Sequence, residues 1–443
     1  MKRAPESLAE RRAWGKSRRE IVGRVDQGRW SPAKARDDVV AQIEAASAGR
    51  LPTLLPIKYG RMAASPFGFF RGAAAVMAAD LACLPRTGMV AQICGDAHVR
   101  NLGAYAAPDG QVVFDINDFD ESIVGPWEWD LKRLASSVVL AGREAGDSDR
   151  GCRDAVELLA ASYGEGLRRF AVMPAMELAR HEIRHGFKEG PVHRVLKKAE
   201  RATPRASLEK LTVRGRGGQR LLSRRPPLLS ISESVARWVL ASLRPYRDTL
   251  GPGSRLVLDA YRPVDVAFRI AGTGSIGTRD YVVLCFGSGP DDPLFLQIKQ
   301  ELPSCCAPFL PRREKAAHQG RRAAVGQHRM QTVVDPFLGW TRIGEADYLV
   351  RQLADHKASV DPEELKGASL MEYAFVCGEL FARAHARTGD AVALSAYCGR
   401  SDRLGRGLVR FAAAYADQTS VDYERFVKAI RTGRIEAGKV AGK

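Results

Sequence analysis

The chain has 443 residues, 45% hydrophobic and 27% charged, with a formal net charge of +17. That length is too great for one ordinary compact unit and suits two or three packed lobes, while the charge favours anionic partners by steering rather than by specificity. No apolar run is long enough to cross a bilayer, the basic N-terminus lacks the apolar stretch of a secretory signal, and the eight cysteines never form C-x-x-C; the expectation is a cytoplasmic protein with reduced thiols and no membrane partner.

Residues 1 to 60 read as polar helices rich in Arg and Lys. Tyr59 to Leu84 holds a Ser-Pro break, an aromatic cluster and an apolar helical run, with Arg71 in "SPFGFFRG". Met89 to Ser122 alternates like strands: a strand, the loop "CGDAHVRNLG", a short strand, the turn "APDG", the strand "QVVFDI" and the acidic loop "NDFDES". From Trp129 to about Arg184 apolar residues recur at helical spacing. Arg184 to Pro227 is strongly basic and is expected as a solvated connector. Residues 255 to 300 read as strands, with "GSGPDD" as a hairpin turn. A helix is expected within Pro311 to Thr332, then strands in "FLGWTRIG" and "DYLVRQLADHK", then helices from about Ser369.

"GTGSIG", with Gly272, Gly274, Ser275 and Gly277, matches a pattern used in two ways. In a dinucleotide fold such glycines open a helix; in a kinase they join two antiparallel strands over the ATP phosphates. The following "TRDYVVLCFG" is β-branched and aromatic, hence a strand, which removes the dinucleotide reading. A kinase also needs a third strand carrying a lysine for the phosphates, and "PLFLQIKQ" supplies Lys299. Glu301 and Glu314 are candidate partners for that lysine.

Asp96 and Asn101 suit phosphoryl transfer, where an Asp orients the attacking hydroxyl and an Asn helps hold a metal. Asp115, Asp118 and Asp120 crowd six residues, and Mg²⁺ would relieve their repulsion; the alternative is an acidic surface loop.

"GDAHVRNL" resembles the catalytic loop of aminoglycoside phosphotransferases and choline kinases. The resemblance carries a catalytic-loop role to Asp96, His98 and Asn101, metal binding to Asn101 and Asp118, and a structural role to Asp130 on the next helix. Cys94 stands where those enzymes usually have His. Over nearly its whole length, through "SPFGFFRG", "GDAHVRNLG", "FDINDFDES", "GTGSIG", "FLQIKQ", "DPFLGW", "YLVRQLADHK" and "ARAHARTGD", the sequence resembles the bacterial family of domains of unknown function 2252, thought to be protein-kinase-like. That family often has a Glu before "GQ" in the helix after the lysine strand; here Val325 precedes Gly326 and Gln327.

The expected fold is therefore α+β, a two-lobed kinase-like architecture. The glycine loop and lysine follow the catalytic and metal loops, which implies circular permutation. Residues 1–254 would form the first part of the catalytic lobe, 255–356 the strand-rich nucleotide lobe, and 357–443 the helices completing the first. The implied activity is transfer of phosphoryl from ATP, with Mg²⁺, to an unidentified hydroxyl acceptor. Nucleotidyl transfer, or a non-catalytic protein binding nucleotide or polyanion such as nucleic acid, are the alternatives. Arg71 is expected either to touch phosphate or to pair with an acidic-loop carboxylate, and His385 and Arg387 to pack at a helix end.

Overall fold

The computed structural model describes residues 7–33, 36–107, 109–182, 189–215, 220–223, 227–270, 272, 274–311, 316–353 and 357–438. It is a mixed α+β protein. Its strands are β1 (Val90–Ile93), β2 (Leu102–Ala106), β3 (Val112–Ile116), β4 (Ile123–Pro126), β5 (Thr212–Arg214), β6 (Arg220–Leu222), β7 (Leu228–Leu229), β8 (Arg262–Arg269), β9 (Asp280–Phe286), β10 (Pro293–Gln300), β11 (Gly339–Ile343), β12 (Ala346–Gln352) and β13 (Ala358–Ser359). Every pairing is antiparallel.

Six strands form one sheet in the order β11-β12-β10-β9-β8-β7. Side chains alternate across it. One face presents Val283, Leu294, Leu296, Ile298 and Val350 to a core completed by Val239, Tyr246 and Leu250. On the other, Val282, Leu284 and Phe295 pack with Leu208 and Leu222. Further along that second face the residues turn polar: Lys299 stands opposite Asp280, and Gln297 opposite Arg351. The boundary expected at residue 255 falls inside this unit. Leu228 and Leu229 pair with β8, and the helices Glu233–Ala241 and Leu243–Arg247 supply Val239 and Tyr246 to its core.

The remaining mass is a helical body. The helix Trp127–Glu144 is buried on nearly every side, and Asp149–Phe170 packs along Ala368–Thr388. The two ends of the chain meet in it. Leu8–Ile21 lies on Ala391–Cys398, where Arg11 grips Asp390 at 2.8–3.1 Å. Buried Arg36 binds both Asp80 and Asp422 at 2.7–2.8 Å. β1 with β4, and β2 with β3, rest on this body through the same core.

The described parts of the basic stretch 184–227, residues 189–215, 220–223 and 227, are not the solvated connector its charge suggests. Gly190–Arg201 and Pro204–Leu211 are helices, and β5 pairs with β6. Val192, Val195 and Ala199, at spacings of three and four, enter the main core, while Leu208 enters the sheet's core. Lys and Arg fill the outer faces and mask that period in the sequence.

Asp115, on β3, is not part of an open acidic cluster. It accepts from Arg383 Nη2 at 2.5 and 2.6 Å, with both side chains buried. Asp115→Ala leaves that guanidinium unpaired in the core. Equilibrium urea unfolding should show a loss of about 3–5 kcal/mol.

Candidate functional site

The loop after β1 is held from below by the helix that follows the acidic loop. Asp130, in the first turn of Trp127–Glu144, accepts from the backbone N–H of Cys94 at 2.8 Å and of Gly95 at 2.9 Å. His385 Nε2 lies 3.5 Å from Asp130 Oδ2, the oxygen that accepts from Cys94, and its Nδ1 meets the Tyr163 hydroxyl at 2.9 Å. His385 is thus packed beneath the loop and faces neither cavity described below. Arg387 donates to the carbonyls of Ala179, Arg329 and Gln331. Tyr373, on the same helix as His385, donates to Val99 O at 2.6 Å.

Asp96 turns its carboxylate into a cavity of about 800 Å³ between the sheet and the helical body. Arg133 Nε donates to Asp96 Oδ1 at 2.6 Å. Burial still outweighs that guanidinium and raises the Asp96 pKa above the ordinary carboxylate value. Asn101 Nδ2 donates to Asp96 O at 2.7 Å, and Asn101 lines a second, smaller cavity of about 210 Å³. His98 sits underneath. Its Nδ1 accepts from Arg100 N, its ring meets Phe67 edge-on, and it lines neither cavity. Burial pushes its pKa well below the ordinary histidine value.

The acidic loop and the lysine strand meet although they lie 179 residues apart. Lys299 Nζ binds Asp120 Oδ2 directly, and Ser275 Oγ reaches the same oxygen at 3.5 Å. Asp118 lines both cavities. Burial and the neighbouring Asp120 charge push its pKa up to about 6, whereas the Lys299 charge outweighs the cost of burying Asp120 and holds that carboxylate at about 2. Lys299 itself stays charged, because Asp120 and Asp118 outweigh its burial. Glu301, fully enclosed, is pushed well above the usual carboxylate range by burial and by the Asp120 charge. The lysine's direct partner is therefore Asp120, with Glu301 beside it; Glu314 lies outside the described residues.

The glycine loop joins β8 to β9. Gly272 and Gly277 have φ of 76° and 94°, which side-chain-bearing residues rarely adopt. N-terminal residues pin it: Leu51 N donates to Gly277 O at 2.7 Å, Arg50 Nη1 to Ile276 O at 2.8 Å, and Arg61 to Gly272 O. Gly274 and Ser275 line the larger cavity.

Arginines from three further segments complete this site, and of these only Arg322 lies outside the quoted motifs. Arg322, on the helix Gln319–Met330, donates to the carbonyls of Asp120, Ser122 and Leu302 at 2.6–3.0 Å. That helix sits close enough because Gly326 leaves no room for a Cβ against Ser122. Arg351 bonds Gln297 and the Asn117 carbonyl. Arg71 lines both cavities, its Nε has no hydrogen-bond partner, and burial lowers its pKa to about 10. It therefore touches the site without pairing to an acidic-loop carboxylate at hydrogen-bond range.

Among the described residues no three His, Cys, Asp or Glu side chains group to hold a metal. Mg²⁺ commonly takes one or two carboxylates and completes its shell with water and phosphate oxygens. Asp118 fits such a role: it stands at the junction of the cavities, under repulsion from Asp120 that a cation would relieve. Asn101 shares the smaller cavity with it, while Asp120 is committed to Lys299.

Fold and site together define a mixed α+β protein with a charged cavity between an antiparallel sheet and a helical body. The chain belongs to the family described as uncharacterized proteins conserved in bacteria (DUF2252), whose model matches residues 50–429. No curated protein and no solved structure matches it. Among the described residues no helix is long and apolar enough to cross a membrane.

Asp118 is protonated in the folded chain up to about pH 6 but ionises near pH 4 when unfolded. Its ionisation therefore opposes folding, and that cost grows as pH rises from about 4 to 6 and stays constant above. Asp118→Asn should raise stability at pH 7–8 by on the order of 2 kcal/mol, with the gain vanishing near pH 4. Thermal melts of both proteins across this range check it.

Proposed function

We propose that this protein is an ATP- and Mg²⁺-dependent phosphotransferase built on a circularly permuted, kinase-like fold. The observation that carries the reading is the convergence of Asp96, Asp118, Asp120 and the glycine loop on one cavity, with Lys299 bound directly behind Asp120. Strand order β8-β9-β10-β12-β11, a glycine loop between β8 and β9, a lysine on β10 and a helix packed on β12 follow the plan of a kinase nucleotide lobe. The permutation is supported by the helix Ala368–Thr388, which underpins both loops through Tyr373, Arg383 and His385.

On this reading the Lys299 ammonium leaves Asp120 for the α and β phosphates, and Gly274, Ser275 and Gly277 close over them. Bound Mg²⁺ at Asp118 and Asn101 supplies neutralisation of the phosphate charge. Arg133 holds Asp96 Oδ1, so the acceptor's proton goes to Oδ2, which has His98 Nε2 3.8 Å away. The raised Asp96 pKa suits that task, since a base works best when its pKa approaches the working pH. The acceptor oxygen forms a bond to the γ-phosphorus as the bridging P–O bond breaks, and ADP leaves with that electron pair.

The test uses ATP labelled at the γ or the α phosphate with a cell extract of small molecules as acceptors. Label transfer from γ supports a kinase, transfer from α a nucleotidyltransferase, and transfer from neither removes the enzymatic reading. Asp96→Asn should cut turnover by about 10²–10⁴-fold. In thermal melts, saturating ATP with Mg²⁺ should stabilise the wild type, by about 2.7 kcal/mol at a hundredfold excess over Kd. Asp118→Ala should lose the Mg²⁺-dependent part.

A further inference from the structure

The larger cavity holds a second group of cations that the phosphate cradle does not use. Lys58 sits in the helix Leu55–Met62, only 2% exposed, and lines this cavity. Among the described residues it has no hydrogen bond or ion pair. The charges that act on it are those of Arg50 and Glu121, and burial lowers its pKa to about 7. Glu121 is engaged elsewhere, its Oε2 accepting from Cys305 N at 2.6 Å. Arg50 stands between Lys58 and the glycine loop, with its Nε buried and unpartnered.

An unpaired ammonium in such a place is costly to the fold, and a ligand anion would offset that cost. Lys299 by contrast answers chiefly to Asp120, Asp118 and Glu301, and it binds Asp120 directly. Two cationic stations thus border the cavity, Lys299 behind the Asp120 that lines it, and Lys58 with Arg50 lining it directly on the wall of N-terminal helices. Small side chains at Ala45, Ala46, Ala74 and Ala75 leave room beside the second.

We propose that the second station is the acceptor subsite, and that the acceptor is a small alcohol bearing its own phosphate or carboxylate, held by Lys58 and Arg50. This rests on the phosphotransferase reading. The acceptor hydroxyl points to Asp96, gives its proton to Oδ2 as its oxygen bonds the γ-phosphorus, and ADP departs; Lys58 and Arg50 exchange no atom. The net charge of +17 adds long-range attraction for such a substrate.

The test is calorimetric titration of the full chain with inorganic phosphate, and separately with malonate, without nucleotide or metal. The wild type should bind at least one of them, and the tighter arm identifies the acceptor's anion. Lys58→Met should weaken binding at least about tenfold, and Lys58→Arg should restore it. Lys58→Met removes a buried charge at similar volume, so its melting temperature should not fall; Lys58→Gln is the second variant should Met not fold. Equal binding by wild type and both charge-removing variants, or no binding by the wild type, overturns the proposal. Stabilisation by ATP with Mg²⁺ should persist in Lys58→Met, so a failure of the nucleotide reading appears in a different measurement.

Discussion

The contact between Lys299 and Asp120 is the constraint on which the arrangement depends. It joins the central strand of the sheet to a loop of the helical body, so each unit positions half of the cavity. Neither charge would be tolerable alone. A lysine only 4% exposed needs an anion, and the carboxylates of the acidic loop need a cation. The pair satisfies both and leaves Asp118, two residues from Asp120, as the carboxylate without a dedicated cation. That asymmetry separates their pKa values, to about 2 and about 6, and a pair so divided can divide its roles.

Around this contact the protein fixes its loops from the outside inward. Asp130 holds the backbone of the Asp96 loop, His385 lies against Asp130, and Tyr163 against His385. Arg383 fixes the end of β3 from which the acidic loop departs. Arg322 does the same for the far end of that loop through three carbonyls. Apart from Arg322, which itself lines the larger cavity, each support is buried, so the side chains facing the cavity are held largely by groups that solvent does not reach.

What the sequence discloses follows from how local each signal is. The β2–β3 hairpin, the glycine loop and the β9–β10 turn are legible because alternation and turn residues act over a few positions. Asp96, Asn101, Asp118 and Lys299 are legible because their chemistry concentrates in short motifs. The orientation of His98 is not, since a motif names a residue without saying which side of the loop it occupies. Asp115 looks like its neighbours in "FDINDFDES", and only the approach of Arg383 from 268 residues away separates it. The helix Gly190–Arg201 hides its apolar stripe under lysine and arginine. Lys58 and Arg50 sit among polar N-terminal helices and become a cavity wall only when residues 50, 51 and 61 dock on the glycine loop.

That docking shapes the electrostatics of the cavity. Arg50 touches the glycine loop through Ile276 O yet responds to Glu121 and Asp120 as well. It is the one described cation here that bridges the loop proposed to cover phosphates and the wall proposed to take the acceptor. Filling either side with an anion lowers the cost of the buried Arg50 charge, and that benefit can be collected only once. Two anions flanking a single guanidinium also repel each other, which Lys58 offsets on the cavity wall and Lys299 offsets from behind Asp120. Lys58 and Arg50 line the same cavity as Asp96 and Asp118, and that mixture of charges favours a bound pair of anionic molecules over either one enlarged to fill the space.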